Sequence, residues 1–204
     1  MTPDRSVTAA LSASLEADPA HLERLRARLA TDADSAHVLD VAHRTVDTPV
    51  GSLLLAATEA GLARVAYASE GHDRVLADLA RRISPRILRH PARLDTVAQQ
   101  IDEYFAGRRR AFDLRIDWRL STGFRLDVLQ HLRDIGYGST ATYASVAALT
   151  GRPRAVRAVG TACATNPLPL VIPCHRVVRS DGSMGGYLGG IDAKSALLQL
   201  ESAA

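Results

Sequence analysis

Cys174 and His175 are adjacent, followed by Arg176, in the middle of the apolar run Leu170-Val171-Ile172-Pro173 and Val177-Val178. Sulfur attacks as the thiolate, and a free thiol with a pKa of about 8.5 needs help to ionise at neutral pH. His175 and Arg176 are the residues placed to give that help. The β-branched run reads as a strand with the thiol at a break in it. Neighbours in an extended strand point to opposite faces, so the Pro173 bend or a bridging water has to bring thiol and imidazole together. An isolated Cys-His pair is more often a buried structural cysteine than a nucleophile, so the rest of the chain has to decide.

Charge around the thiol is one-sided. From Ile135 to Ser180 there is no Asp or Glu, whereas Arg152, Arg154, Arg157, Arg176 and Arg179 all fall in that window. Such a stretch attracts a polyanion, and phosphate contacts supply most non-specific nucleic-acid affinity. Basic residues here are almost all arginine, Lys194 being the only lysine. That bias does not explain the missing acids. The net charge of +3 says little by itself.

The 204 residues, 47% of them hydrophobic, suffice for one domain or two small ones with a packed core. No run approaches the roughly 18 uninterrupted apolar residues of a membrane span, and the N-terminus lacks the pattern of a secretory signal. A cytoplasmic protein is expected. The only cysteines, Cys163 and Cys174, have no metal-ligand spacing. A structural zinc is not expected, and a reducing compartment argues against a disulfide between them.

The elements that must position the thiol follow from periodicity. Residues Val7 to Ala36 read as helix interrupted at Pro19, with leucines at three- and four-residue spacings. Val41–Val46, Ser52–Ala57 and Leu62–Tyr67 read as an antiparallel meander, with turn signals at Val50-Gly51 and Glu59-Ala60-Gly61. Helices are expected over His72–Ile83 and Leu94–Phe105. Phe112, Leu114, Ile116 and Trp118 alternate with polar residues, the pattern of a strand with one buried face. Arg108-Arg109-Arg110 before them reads as a solvated turn.

A boundary falls near Leu120-Ser121-Thr122-Gly123. Beyond it helices are expected over Phe124–Ile135, over Thr142–Leu149 with Thr142 as N-cap, and over Arg154–Ala164 with Pro153 at the first position. The last two match a helix-turn-helix. The second carries Ala155, Ala158, Gly160, Thr161, Ala162, Cys163 and Ala164 around one long residue, Arg157. Small residues let another surface come close, either a neighbouring helix or a minor groove about 6 Å wide. Asn166-Pro167-Leu168-Pro169 is a rigid loop, and Gly185-Gly186-Tyr187-Leu188-Gly189-Gly190 a flexible one. Asp192 is expected to cap a last helix, Ala193–Leu200, with Glu201 at its end.

With these motifs in this order, residues from about Phe124 to Glu201 resemble the O6-alkylguanine-DNA alkyltransferases. The resemblance runs through Tyr143, Arg157-Ala158-Val159-Gly160, Asn166-Pro167, Ile172-Pro173-Cys174-His175-Arg176-Val177, Gly186-Tyr187-Leu188-Gly189-Gly190 and Leu197-Leu198-Gln199-Leu200-Glu201. Thr45–Ala57 resembles, more weakly, the start of that family's N-terminal domain. The resemblance implies an α+β protein, with an N-terminal antiparallel-sheet domain over 41–120 and a helical DNA-binding domain with a helix-turn-helix over 121–204. Residues 1–40, outside it, are expected to form an N-terminal helical extension. It also implies binding of duplex DNA through the minor groove, by a monomer and without a cofactor or metal, and extrusion of the damaged guanine at a cost of a few kcal/mol.

Carried onto this sequence, Cys174 would take the alkyl group from guanine O6, with His175 holding the thiol proton through water. Glu201 would orient the imidazole and Asn166 brace the site, the logic of an activated nucleophile. Tyr143 would donate towards guanine N3. Arg157 would fill the hole in the base stack, and Thr142, Ala155, Ala158 and Gly160 would meet the DNA. Tyr187, Leu188, Val177 and Pro169 would line the pocket. The thioether product resists thiol–disulfide exchange, so each molecule would act once. Leu188 stands where the family often has serine, Val156 where alanine is common and Leu129 where tryptophan is frequent. Two other readings compete: an alkylguanine-sensing module without transfer, whose relatives lack the cysteine, and a thiol hydrolase using Cys174, His175 and Asn166. Neither accounts for both the thiol and the small-residue helix.

Overall fold

A computed structural model describes residues 18–202. Residues up to Leu39 form one compact unit and those from Asp40 a second. In the first, helix α1 (Pro19–Ser35) starts where the Asp18 carboxylate accepts from the Ala20 amide at 3.0 Å. Pro19 stands at the first position of this helix, where its missing N–H is one that no helix start can pair. The Val7–Ala17 part of the expected helix lies outside the described residues.

The second unit opens with strands β1 (Val41–Thr48), β2 (Gly51–Thr58) and β3 (Gly61–Tyr67), the expected antiparallel meander. Beyond it a short β4 (Ile87–Arg89) pairs parallel to β1, giving the order β3-β2-β1-β4. Gly61, at φ +140°, is required at its turn: a Cβ there would lie 2.2 Å from the Arg115 carbonyl oxygen. Helix α2 (His72–Arg82) buries Val75 and Leu79 against Val41, Leu54, Ala56 and Ala66 of the sheet. Burying each large aliphatic contributes about 1.5–3 kcal/mol. Helix α3 (Asp95–Phe105) follows, burying Ile101 and Tyr104 completely.

The strand expected over Phe112–Trp118 does not form; Ile116 makes one bridge to Leu62. Its backbone groups are satisfied otherwise. The Gln100 side chain accepts from the Asp113 amide and donates to its carbonyl, both at 2.9 Å, and Trp118–Leu120 turn into a 3₁₀ helix. Alternation marked one buried face, which an irregular segment also satisfies.

The rest is helical. Helix α4 (Gly123–Leu132) leads to β5 (Ala141–Thr142), and α5 (Tyr143–Leu149) starts at the expected Thr142 cap, whose hydroxyl accepts from the Ser145 amide at 3.0 Å. Helix α6 (Val156–Ala164) begins later than expected, leaving Pro153 and Arg154 in the turn. Residues 166–173 are buried but irregular, and Cys174–Arg176 form a 3₁₀ turn before the two-residue strand β6 (Val177–Val178), parallel to β5. So the thiol does not interrupt a strand. Leu170 adopts φ +72°, and the Asn166 side chain takes the Leu168 amide and the Ile172 carbonyl, each at 2.9 Å, in place of a ladder. Apolarity there records burial, not extension. Helix α7 (Gly190–Ser202) starts earlier than expected, so Asp192 lies in its first turn instead of capping it.

Candidate active site

Cys174 stands at the first position of the 3₁₀ turn, 2% exposed. Asn166, in the loop after α6, aims its amide nitrogen at the sulfur from 3.1 Å. Burial pushes the thiol up to about 11, while the Asn166 donor and the Lys194 ammonium work the other way. The sequence pointed to His175 and Arg176 for that task; the structure puts Asn166 and Lys194 there. Lys194 is completely buried on α7, donating to the Val177 carbonyl at 2.6 Å and to the Met184 carbonyl. Burial pushes its ammonium down in turn. Two signals mark it in the sequence: it is the chain's only lysine, and it shares one face of α7 with the buried Leu197 and Glu201.

His175 is fully buried, and its Nε2 lies 3.0 Å from Oε1 of Glu201. Arg176 does not face the thiol. Its guanidinium grips the Glu201 carboxylate at 2.8 and 2.9 Å and donates to the Ile135 carbonyl at 2.5 Å. Tyr104 donates to Oε1 at 2.7 Å and the Gly138 amide to Oε2 at 3.3 Å. Burial alone would push this carboxyl up; the hydrogen bonds from His175, Arg176 and Tyr104 outweigh it and hold it at about 2. An ionised carboxylate only accepts, so His175 Nε2 carries the hydrogen. Nδ1 is then the basic nitrogen, buried and without a hydrogen-bond partner among the described residues. Burial holds the imidazole below its ordinary value, against the raising pull of Glu201. A buried thiol thus lies beside a histidine in its neutral form.

Of the expected pocket residues, Tyr187 packs against this pair. Tyr187 lies edge-on to the His175 ring, 6.2 Å between centroids. Its hydroxyl is 3.0 Å from that of Tyr67 on β3, a partner no local pattern announces. The Tyr67 ring fills the space where Gly189 would carry a side chain, a Cβ there lying 2.6 Å from it. Gly185 is likewise close to Tyr143, its added Cβ being 2.9 Å from the phenol oxygen. Burial raises the Tyr143 phenol, and the nearby Cys163 and Cys174 add to it. Val177 and Pro169 are buried and Leu188 half-buried.

A second group lies on the α5–α6 pair. Arg157, Ala158 and Thr161 are exposed on α6, with Ala155, Gly160 and Thr142 half-buried. Arg152 stacks over the Phe124 ring at 5.0 Å, and Arg154 and Arg179 are exposed. Arg176 leaves the arginine window, since Glu201 holds it inside.

Fold and site together define a mixed α and β protein with a buried, braced thiol and a separate arginine-bearing surface at the α5–α6 pair. Residues 123–203 match the DNA-binding domain of 6-O-methylguanine DNA methyltransferase, and residues 41–118 its ribonuclease-like domain. A methylated-DNA–protein-cysteine methyltransferase of Methanosarcina barkeri is 38% identical, the alignment covering 76% of this chain and 94% of that protein. The crystal structure of Mycobacterium tuberculosis O6-methylguanine methyltransferase superposes with a TM-score of 0.70 at 35% identity, over 80% of this chain and 93% of that one. A structure of the M. tuberculosis protein OGT in complex with DNA gives 0.68, also at 35%, covering 79% and 93%. The chain belongs to the 6-O-methylguanine DNA methyltransferase family.

Proposed function

We propose that the protein repairs DNA by moving the alkyl group of O6-alkylguanine in a duplex onto the sulfur of Cys174, once per molecule. The observation that carries this reading is the Asn166 amide 3.1 Å from a buried thiol next to a histidine whose Nε2 is tied to Glu201. Nδ1 of His175 takes the thiol proton through a bridging water. The sulfur then attacks the alkyl carbon as its bond to O6 breaks, and the electron pair of that bond stays on the base. Tyr143 donates a proton towards N3, so guanine leaves neutral. Asn166 and Lys194 stabilise the negative charge on sulfur before attack, in a site where low dielectric strengthens both.

Helices α5 and α6 act as a helix-turn-helix on the minor groove. The small residues Ala155, Ala158 and Gly160 allow close approach, Thr142 meets the backbone, and Arg157 replaces the extruded base. Tyr187, Leu188, Val177 and Pro169 line the pocket for that base. The chain works as a cytoplasmic monomer, with 41–120 supporting a DNA-binding and acceptor domain over 121–204. Leu188 leaves its backbone N–H for the base while lacking a serine hydroxyl, which bears on rate and alkyl preference. Incubation with a methylated-guanine duplex tests the reading: the DNA should regain unmodified guanine in a one-to-one ratio with protein. Catalytic turnover, or none, would contradict it.

A further inference from the structure

We propose that Tyr104 of α3, in the N-terminal part of the unit, is a positioning residue of the transfer site: its phenol clamps Oε1 of Glu201 and so governs how strongly that carboxylate draws on His175. The inference rests on the reading of Cys174 as alkyl acceptor, and it gives the N-terminal sheet-and-helix region a part in the chemistry.

Tyr104 is fully buried, and its ring is fixed by Phe105 and Phe112 at 5.3 Å and by Tyr137 at 6.0 Å. The hydroxyl therefore has one direction, towards Oε1 at 2.7 Å. This is the shortest hydrogen bond onto that oxygen, ahead of Arg176 Nη2 at 2.8 Å and His175 Nε2 at 3.0 Å. A carboxylate oxygen has about two lone-pair sites, so three converging groups share its charge and each weakens the pull on the others. The remaining groups facing the pair are Lys194 of α7, Tyr137 after α4 and Tyr187 of the glycine loop. Arg176 and Lys194 oppose protonation of His175, while Glu201 favours it. Tyr104 tips this balance because it spends part of the Glu201 charge without adding a charge of its own. Loss of the hydroxyl leaves a more concentrated charge opposite Nε2, which favours the imidazolium. In that form Nδ1 carries a hydrogen and cannot accept the thiol proton.

The test is Tyr104→Phe in the full chain, which keeps the ring and removes only the hydroxyl. Single-turnover transfer from methylated duplex should fall about tenfold at the acid end, near pH 6, and stay within about twofold of wild type near pH 8.5. The titration midpoint of His175, followed by NMR with isotope-labelled histidine in the resting protein, should move up. Should the phenylalanine variant fold poorly, a fluorotyrosine at position 104 donates more strongly from the same ring and should move the midpoint down. A uniform loss of rate at every pH, or a midpoint unmoved by the substitution, overturns the role of Tyr104. Wild-type protein that takes up no methyl at all would instead defeat the reading of Cys174.

Discussion

The amide nitrogen of Asn166 lies 3.1 Å from the sulfur of Cys174, while the same side chain holds the Leu168 amide and the Ile172 carbonyl. One residue thus shapes the loop that carries the thiol and supplies a donor to it. Asn166→Ala should slow transfer by about 10- to 150-fold, the equivalent of a hydrogen bond of roughly 1.5–3 kcal/mol to a charged group. Duplex affinity should be unchanged. Stopped-flow rates with a methylated oligonucleotide check this, and an unaltered rate would remove Asn166 from thiolate stabilisation.

Gly189 touches the Tyr67 ring so closely that any Cβ must displace it, and that ring braces Tyr187 through paired hydroxyls. Gly189→Ala should lower stability by about 1–3 kcal/mol, the usual range for overpacking. Combining it with Tyr67→Ala should recover part of that loss. Urea denaturation of both variants and of Tyr67→Ala alone provides the comparison; additive losses would contradict the contact.

Much of the scaffold was legible because its causes are local. The Thr142 cap, the β1–β2–β3 meander and the spans of α2 and α3 rest on turn residues and periodicity within a few positions. The errors arose where side chains replaced backbone partners: Gln100 took the place of a strand beside Asp113, and Asn166 did the same before Cys174. At the site, residue types and spacing singled out Cys174 and His175, the resemblance added Asn166 and Glu201, and geometry brings these four together. Arg176 was misread because its partner Glu201 lies 25 residues away, beyond any local pattern. Tyr104 and Tyr67 reach the site over 97 and 120 residues and left no sequence signal.

The thiol of Cys174 is held neutral by burial, its pKa raised from an ordinary 9 to about 11. The folded state therefore keeps a proton that the unfolded chain releases first. The sign follows: this contribution is intact below pH 9 and is lost as pH rises from 9 through 11. Thermal unfolding between those limits should show a steeper alkaline decline for wild type than for Cys174→Ala. Parallel declines would mean the thiol ionises as easily folded as unfolded.

Arg157 is exposed on α6 among small residues, whereas Arg176 is withdrawn, so Arg152, Arg154, Arg157 and Arg179 remain to meet phosphates or bases. The slope of log affinity against log salt should be no steeper than about −4, at roughly 0.9 per phosphate neutralised. Arg157→Ala should slow repair of paired duplex by about 5- to 150-fold, the loss of roughly 1–3 kcal/mol of stacking. Attack on free O6-methylguanine should be spared, and Arg157→Lys should restore only part, an ammonium having no planar face. Equal slowing on both substrates would make Arg157 a residue of helix structure alone.

Whether one buried thiol, Cys174, keeps the alkyl group can be read from mass. Protein incubated with excess methylated-guanine duplex, weighed intact and then digested for peptide mapping, addresses it directly. A single added methyl per chain is expected, located on Cys174, none on Cys163, and none anywhere in Cys174→Ala, which should still bind the duplex. A methyl on another residue, or uptake by the alanine variant, would contradict it.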